Sequence, residues 1–297
     1  MRGPERGFLL LTGTFGDPER KPLTVAQLRT LAARVKTMEI DQIDRQLQPE
    51  DLVRLGYGRD MAERIVKLLS DEAILDRYLQ RAKRVACYPI SRVGEGYPDV
   101  LRQKLGVDSP GCLWAKGNGE ILMMPRISLV GSRDIQPANR AFAWEVGVQA
   151  AKQGFALVSG NARGADKIAQ TACLQHGGRV ICVVADGLAD KTLDERILYL
   201  SENDFDQPFS AQQAISRNRV IHALGEKTFV AQCHFGTGGT WDGAVKNLRN
   251  GWSPVYCMDD GSRGCLELKQ LGANLVNQKE LTDIRRIQSD TFTFFDQ

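Results

Sequence analysis

A chain of 297 residues, 42% hydrophobic and 25% charged, is long enough for one substantial core plus a smaller domain and has ordinary globular composition. Its formal net charge of +3 neither requires nor excludes a nucleic-acid partner, because a local basic cleft matters more than the total. Seven scattered cysteines (87, 112, 173, 182, 233, 257 and 265) without a C-x-x-C pair argue against a disulfide framework and against a metal site. The apolar start Phe8-Leu9-Leu10-Leu11 is too short for a signal peptide and no longer run follows, so a soluble cytoplasmic protein without membrane association is expected.

Thr24 to Gln27 has the spacing of a capping box, and Val25, Leu28, Leu31, Ala32 and Val35 form the apolar face of the helix it opens. Further helices are predicted over Pro49 to Leu55, Met61 to Leu69 and Asp71 to Arg84, with no strand before Arg84. Residues 1–83 therefore read as a small all-helical domain, and residues 84–297 as a second domain. Within the first, Leu52 to Ile65 has the helix, apolar-Gly-apolar-Gly, helix order of a helix-hairpin-helix, whose hairpin amides hold a DNA phosphate without reading bases. The alternative is a tight glycine turn between two packing helices.

Ser91 to Pro125 reads as a Gly- and Pro-rich connector, and the sheet begins at Arg126. Strand Ile127 to Val130 breaks at Gly131-Ser132-Arg133. The helix Pro137 to Lys152 stops at Gly154, and strand Phe155 to Val158 breaks at Ser159-Gly160-Asn161-Ala162-Arg163-Gly164. Then come helix Lys167 to His176, strand Val180 to Ala185, a short run at Leu198 to Leu200, and a helix from the Ser210 cap to Leu224. Strand Lys227 to Gln232, a helix ending near Asn250, and strands Pro254 to Met258 and Ala273 to Val276 follow. The tail segment Thr291 to Phe295 is an edge-strand or docking candidate. Alternating short strands and helices predict an α/β fold with a doubly wound, mostly parallel sheet, preceded by the helical domain.

Two parallel strands joined by one helix place both loops at the same carboxyl edge of the sheet. Small residues there let backbone N–H groups approach an anion, and the following helix N-terminus adds a favourable field. Arg133 and Arg163 supply charge at the same edge, so the edge reads as a phosphate site. The glycine spacing matches neither G-x-G-x-x-G nor G-x-x-x-x-G-K-[ST], so no dinucleotide cofactor is expected. In Ser216-Arg217-Asn218-Arg219 the two arginines, two apart, cannot share one helix face, and solvated surface cations are the bland alternative. Neither G-x-S-x-G nor H-E-x-x-H signals a catalytic centre. Cys233 and His234, being neighbours on an extended segment, point to opposite faces. Cys182 and Cys257 lie in apolar runs where a buried inert thiol is expected.

In order and wording, Val130 to Arg133, Val158 to Asp166, Gly177 to Ile181, Ser201-Glu202, Arg217 to Ile221 and Gly272-Ala273 resemble the DprA/Smf family of bacterial DNA-processing proteins. The likeness covers roughly Tyr88 to Val276. It implies an extended Rossmann-like fold, binding of single-stranded DNA, its delivery to a RecA-type recombinase, a homodimer, and no catalytic chemistry. Transferred by position, Gly131, Ser132 and Arg133 hold backbone phosphate, joined by Ser159, Gly160, Arg163 and Gly164 of the second loop and by Asn218 and Arg219 of the Arg-Asn-Arg motif. The chain departs from the pattern at Gly238 to Asp242, at Gln170, around Lys191 to Leu193, and in ending without a winged helix. Bases have Phe235 or Trp241 as stacking candidates, with core packing as the alternative for Trp241. A second reading is a nucleotide sensor or a phosphoribohydrolase-like enzyme of the same superfamily, in which Gly239-Thr240 and Asp242 partly resemble the catalytic loop. There the second acid is replaced by Gly243.

Overall fold

The computed structural model describes residues 3–17, 19–36 and 46–287. The tail segment 291–295 lies outside the described residues. By contacts the chain divides into two units, Met1–Tyr97 with Pro110–Leu113, and Pro98–Ser109 with Trp114–Gln297.

The first unit contains α1 (Gly3–Thr12), α2 (Val25–Val35), α3 (Pro49–Arg54), α4 (Arg59–Ser70), α5 (Glu72–Arg84) and a short strand, β1 (Cys87–Ser91). The expected capping box opens α2: Thr24 Oγ1 accepts the Gln27 N–H at 3.2 Å, and Gln27 Oε1 accepts the Thr24 N–H at 3.0 Å. Leu31 of α2 is buried with Leu11, Leu23, Leu52, Ala62, Ile65 and Leu68, and Leu28 and Val35 pack against that cluster. Val25 and Ala32 fall outside it and are exposed. The glycine hairpin between α3 and α4 folds back on α3. The N–H groups of Leu55 and Tyr57 bond the Leu52 carbonyl, and that of Gly56 bonds the Val53 carbonyl. These three amides are therefore already engaged by the helix they follow.

The second unit holds α6 (Asp99–Leu105), β2 (Cys112–Gly117) from Trp114 onward, β3 (Arg126–Val130), α7 (Pro137–Lys152), β4 (Ala156–Ser159), α8 (Ala165–Gln175), β5 (Arg179–Val183) and β6 (Ile197–Ser201). It continues through α9 (Ala211–Ser216), α10 (Asn218–Leu224), β7 (Lys227–Val230), α11 (Gly238–Asn250), β8 (Val255–Met258), α12 (Arg263–Gln270) and β9 (Asn274–Val276). From β2 onward the sheet order is β2-β6-β5-β4-β3-β7-β8-β9. The strand pairings from β6 to β9 are parallel, and β2 pairs antiparallel with β6, with Trp114 opposite Ser201. The doubly wound α/β reading therefore holds. Central strands are buried on both faces, as their unbroken apolar runs require.

Two expectations need correction. Residues 91–125 are not only a connector, because they contain α6 and β2. Strand β2 escapes a hydrophobic pattern because Lys116 sits in it; that side chain is buried, and its ammonium donates to the Ala189 carbonyl at 2.6 Å. The single helix expected from Ser210 to Leu224 is two helices, with Arg217 at the junction closing α9 and opening α10. Arg217 keeps helical backbone angles at this junction, and its side chain is buried.

Behind β7 lies a buried polar cluster. His222 Nδ1 lies 3.3 Å from Thr228 Oγ1 and 3.1 Å from Asn247 Nδ2, while Nε2 has no hydrogen-bond partner. Burial alone lowers the imidazole from its ordinary 6.5 to about 3. The folded value lies below the unfolded one, so this group's contribution to stability is complete above pH 6.5. It is lost as pH falls toward 3, because the unfolded chain takes up a proton that the native state refuses. Stability should thus decline by about 1.4 kcal/mol per pH unit from this group within that window. In 15N spectra the His222 ring should stay neutral from pH 8 to pH 5; a titration midpoint near 6.5 in the folded protein would contradict this.

Candidate nucleic-acid interface

The chain builds outward from β3 in one direction through β4, β5 and β6, then returns to the other side of β3 for β7, β8 and β9. The order reverses between β3 and β7, and such reversals open a crevice at the carboxyl ends of the two strands. The crevice is bridged directly. The Ser132 N–H bonds the Gln232 carbonyl at 3.0 Å, and Gln232 Oε1 accepts the Gln136 N–H at 2.8 Å. Asn139 of α7 donates to the Ala231 carbonyl at 2.8 Å and to Asp260 Oδ2 at 2.7 Å. The loop after β3 is thereby tied to the loop after β7.

The loop after β4 is fixed from inside by Asp166, buried in the first turn of α8. Its Oδ2 accepts the N–H groups of Gly160 at 3.0 Å and Ala162 at 3.2 Å. Burial holds this carboxyl above the usual carboxylate range, and the Arg217 guanidinium, the two amides and Arg133 offset that only in part. Arg217 is itself buried beneath Gly160, where a Cβ would stand 1.8 Å from its Nη1. Burial lowers the Arg217 pKa, and the carboxylates of Asp166 and Asp186 oppose that. Its Nε and Nη1 have no hydrogen-bond partner. Gly164 caps α8 at φ +84°, and a Cβ there would lie 2.4 Å from the Ser132 and Arg133 carbonyls, so only glycine lets the two loops touch. Gly131 meets Ala165 in the same contact, and the Ala165 N–H bonds the Ser132 carbonyl at 3.1 Å.

The nine residues singled out from sequence thus have different surroundings. Ser159 is fully buried and its Oγ accepts from Gln170 Nε2 at 2.6 Å. Ser132 Oγ accepts the Asp134 N–H at 3.2 Å and lies 3.5 Å from His234 Nε2. Gly131, Gly160 and Gly164 bring the loops together, as described. Asn218 donates to the Gly239 carbonyl at 2.9 Å, holding the start of α11. Arg219 pairs with Glu202 at 2.6 Å and donates to the Asp108 and Ser216 carbonyls, so it ties α10 to the loop after β6. Neither arginine of the Arg-Asn-Arg motif is a solvated surface cation. Only Arg133 and Arg163 stand exposed at the edge. Arg163 pairs with the exposed Asp134 at 2.8 Å, and Arg133 has no side-chain partner among the described residues.

On the β7 side of the crevice, Trp241 is half-buried and packs edge-on against Phe235, with ring centroids 5.1 Å apart. Phe235 is 39% exposed, and the Arg263 guanidinium lies 4.0 Å from its ring centroid. Asp242 is exposed just past the first turn of α11, and a Cβ at Gly243 would stand 3.0 Å from His222 Nε2. Cys233, Cys182 and Cys257 are buried free thiols, and burial pushes Cys182 up to about 12. Among the described residues no cluster of His, Cys, Asp or Glu is arranged to hold a metal.

Sequence reasoning missed Arg217 as the central buried cation, and gave Asp166 no role in the loop beyond its place in the second matched stretch. A signal for Asp166 was available, since an acid in the first turn after a glycine loop suits both the helix dipole and loop amides. Arg217 carried none, because periodicity cannot tell a buried arginine from a solvated one.

A Rossmann-like α/β protein with a basic carboxyl edge at its switch point is the class that fold and site define. The sequence profile described as DNA recombination-mediator protein A matches residues 89–286, and the chain belongs to that family, the one named for DprA and Smf. It is 31% identical over 254 residues to the DNA processing protein DprA of Streptococcus pneumoniae, covering 80% of this chain and 86% of the relative. The X-ray structure of DprA from Streptococcus pneumoniae aligns with a TM-score of 0.65 at 24% identity, covering 87% of this chain and 97% of the other. DNA processing protein A from Helicobacter pylori, whose structure is described for its single-stranded DNA binding mode, aligns with a TM-score of 0.55 at 22% identity over 66% of this chain and 94% of the other.

Asp166→Asn should loosen the second loop with little change in size. It replaces one carboxyl oxygen of the group that holds the loop with an amide NH2, at about 0.5–1.5 kcal/mol for each hydrogen bond weakened. Denaturant unfolding should show that loss, and hydrogen exchange should quicken at Gly160 and Ala162. Unchanged protection at both amides would mean the carboxylate does not hold the loop.

Proposed function

We propose that the protein binds single-stranded DNA along the carboxyl edge of its sheet, with Arg133 and Arg163 on backbone phosphates. Membership of a recombination-mediator family supports the reading, and so does the single-stranded DNA binding described for the Helicobacter pylori relative. The observation that carries it is Arg133, exposed at the switch point with no side-chain partner among the described residues. Gly131, Ser132, Ser159, Gly160 and Gly164 shape the edge, and Asn218 and Arg219 brace it from behind. Since the amides of Ser132, Gly160 and Ala162 are bonded within the protein, affinity comes mainly from the cations. In this reading the protein acts as a homodimer in the cytoplasm and passes the strand to a RecA-type recombinase; the family's description as a recombination mediator supports the last step alone. No helix among the described residues is long and apolar enough to cross a membrane. The nucleotide-hydrolysing alternative needs a second acid beside Asp242, where this chain has Gly243, and a side chain there would press on His222 and Asn218.

Arg133→Ala should weaken binding to every single-stranded sequence by a similar factor, roughly ten- to hundredfold, the equivalent of about 1.5–3 kcal/mol for one charge-assisted bond. The salt slope on single strands should fall by about 0.7. The side chain makes no hydrogen bond or ion pair among the described residues and only a minor electrostatic interaction with Asp166, so the melting temperature should move little. Lysine should restore only part of the affinity, since an ammonium lacks the planar fork. Affinity and melting should be measured on one preparation; a folded Arg133→Ala protein with wild-type affinity and slope rejects the phosphate contact.

A further inference from the structure

We infer that the bound strand continues from the two loops into the groove between α7 and α8, where Arg140 and Lys167 meet phosphates and Trp144 stacks a base. This rests on the single-stranded DNA reading above and extends it by naming the strand's path and three further contacts. The groove encloses about 1040 Å³ and begins at the loops themselves, since Arg133 and Arg163 line it along with Arg140, Lys167 and Trp144. It is therefore continuous with the proposed phosphate edge.

Charge picks the occupant. The groove is lined by four cations and one acid, Asp134, a local balance of +3, whereas the whole chain sets 39 basic against 36 acidic residues. The single acid is already paired with Arg163. Arg140 has no side-chain partner among the described residues, and Lys167 touches only Asn161 Oδ1, at 3.3 Å. A row of unpaired cations on packed helices suits a polyanion whose charges repeat along its length.

Helix geometry brings the remaining element to the same face. Arg140 and Trp144 are four apart on α7, and Lys167 and Thr171 four apart on α8, so each pair faces the groove together. The helices are close: a Cβ on Gly147 of α7 would lie 2.2 Å from the Ala169 carbonyl of α8, so the groove has a rigid floor. Trp144 is 37% exposed, and His176 meets its ring edge-on at 6.4 Å. A lone exposed tryptophan needs no ligand to explain it. One anchored by a neighbour and set beside unpaired cations in a basic groove is a platform that accepts any base.

The test compares single strands of about 4 and about 12 nucleotides, short enough and long enough to separate the loops from the groove. The double variant Arg140→Gln/Lys167→Gln should lower the salt slope on the longer strand by about 1.4, twice the single-contact value. Its affinity loss should be larger on the longer strand than on the shorter. Trp144→Ala should weaken the longer strand about tenfold, and Trp144→Phe should recover most of that, since a benzene ring still stacks. Arg140 and Lys167 are exposed, so the double variant should melt with the wild type; Trp144→Ala gives up part of a packed ring, so its affinity is read on a preparation whose melting is also measured. A folded double variant with unchanged slope, or Trp144→Ala with unchanged affinity, overturns the path. If Arg133→Ala still loses binding in that case, the edge reading stands and only the groove falls; if Arg133→Ala is also silent, both fall.

Discussion

A buried carboxylate in the first turn of a helix fixes the whole edge. Removing an ionised group such as Asp166 from water costs several kcal/mol unless charge and hydrogen bonds compensate. Here the compensation is geometric: two loop amides bond one oxygen, and the Arg217 guanidinium supplies opposing charge. Each partner constrains another part of the chain. The amides set the path of residues 160–162. Arg217 stands at the junction of α9 and α10, and it occupies the space that a side chain at position 160 would need. The start of α10 then places Asn218 on the Gly239 carbonyl and Arg219 on Glu202, so α11 and the loop after β6 are held by the same junction.

This gives the polar residues of the edge two distinct duties. Those turned inward saturate one another and make the loops rigid, so little conformational freedom remains to be lost when a ligand arrives. Those turned outward keep their charge available. The contact between Arg163 and Asp134 does not alter that division, because both side chains are largely exposed, at 76% and 87%. Such pairs are worth about 0–1 kcal/mol, less than a charge-assisted bond to phosphate at about 1.5–3 kcal/mol. On the proposed reading, exchange of the carboxylate for a phosphate would therefore be favourable, with Asp134 holding the place of that phosphate beside Arg163.

How much of this the sequence displays depends on whether a signal is local. The unit β3-α7-β4 is legible because uninterrupted apolar runs end at glycines, and the capping box of α2 is legible because both partners lie three residues apart. Strand β2 is hidden by Lys116, whose burial is made possible by a carbonyl 73 residues away. The junction at Arg217 is hidden too, since neither glycine nor proline marks it and the acids that interact with its side chain, Asp166 and Asp186, are distant in sequence. Within the site, the exposed Arg133 and Arg163 are placed correctly at one edge by topology alone. The inward turn of Asn218 and Arg219 is invisible, because their partners, Gly239 and Glu202, are brought near only by the fold. Arg140, Trp144 and Lys167 look like the solvated side of two ordinary helices until α7 and α8 are set side by side.

The modest net charge is then no obstacle to a polyanionic ligand. At about 0.1 M salt, charges more than about 10 Å apart are largely screened from one another. A strand lying on the edge therefore responds to Arg133, Arg163 and their neighbours in the groove, and hardly at all to acids elsewhere on the surface. Local excess, not total charge, sets the affinity. The same arrangement bears on selectivity. The side chains at the edge are guanidinium and ammonium groups suited to phosphate, and the exposed aromatic surface offers ring faces and edges without a fixed pattern of donors and acceptors. An interface of that composition recognises the charge and flexibility of a single strand and tolerates any order of bases. That tolerance is what a protein handling DNA of arbitrary sequence requires.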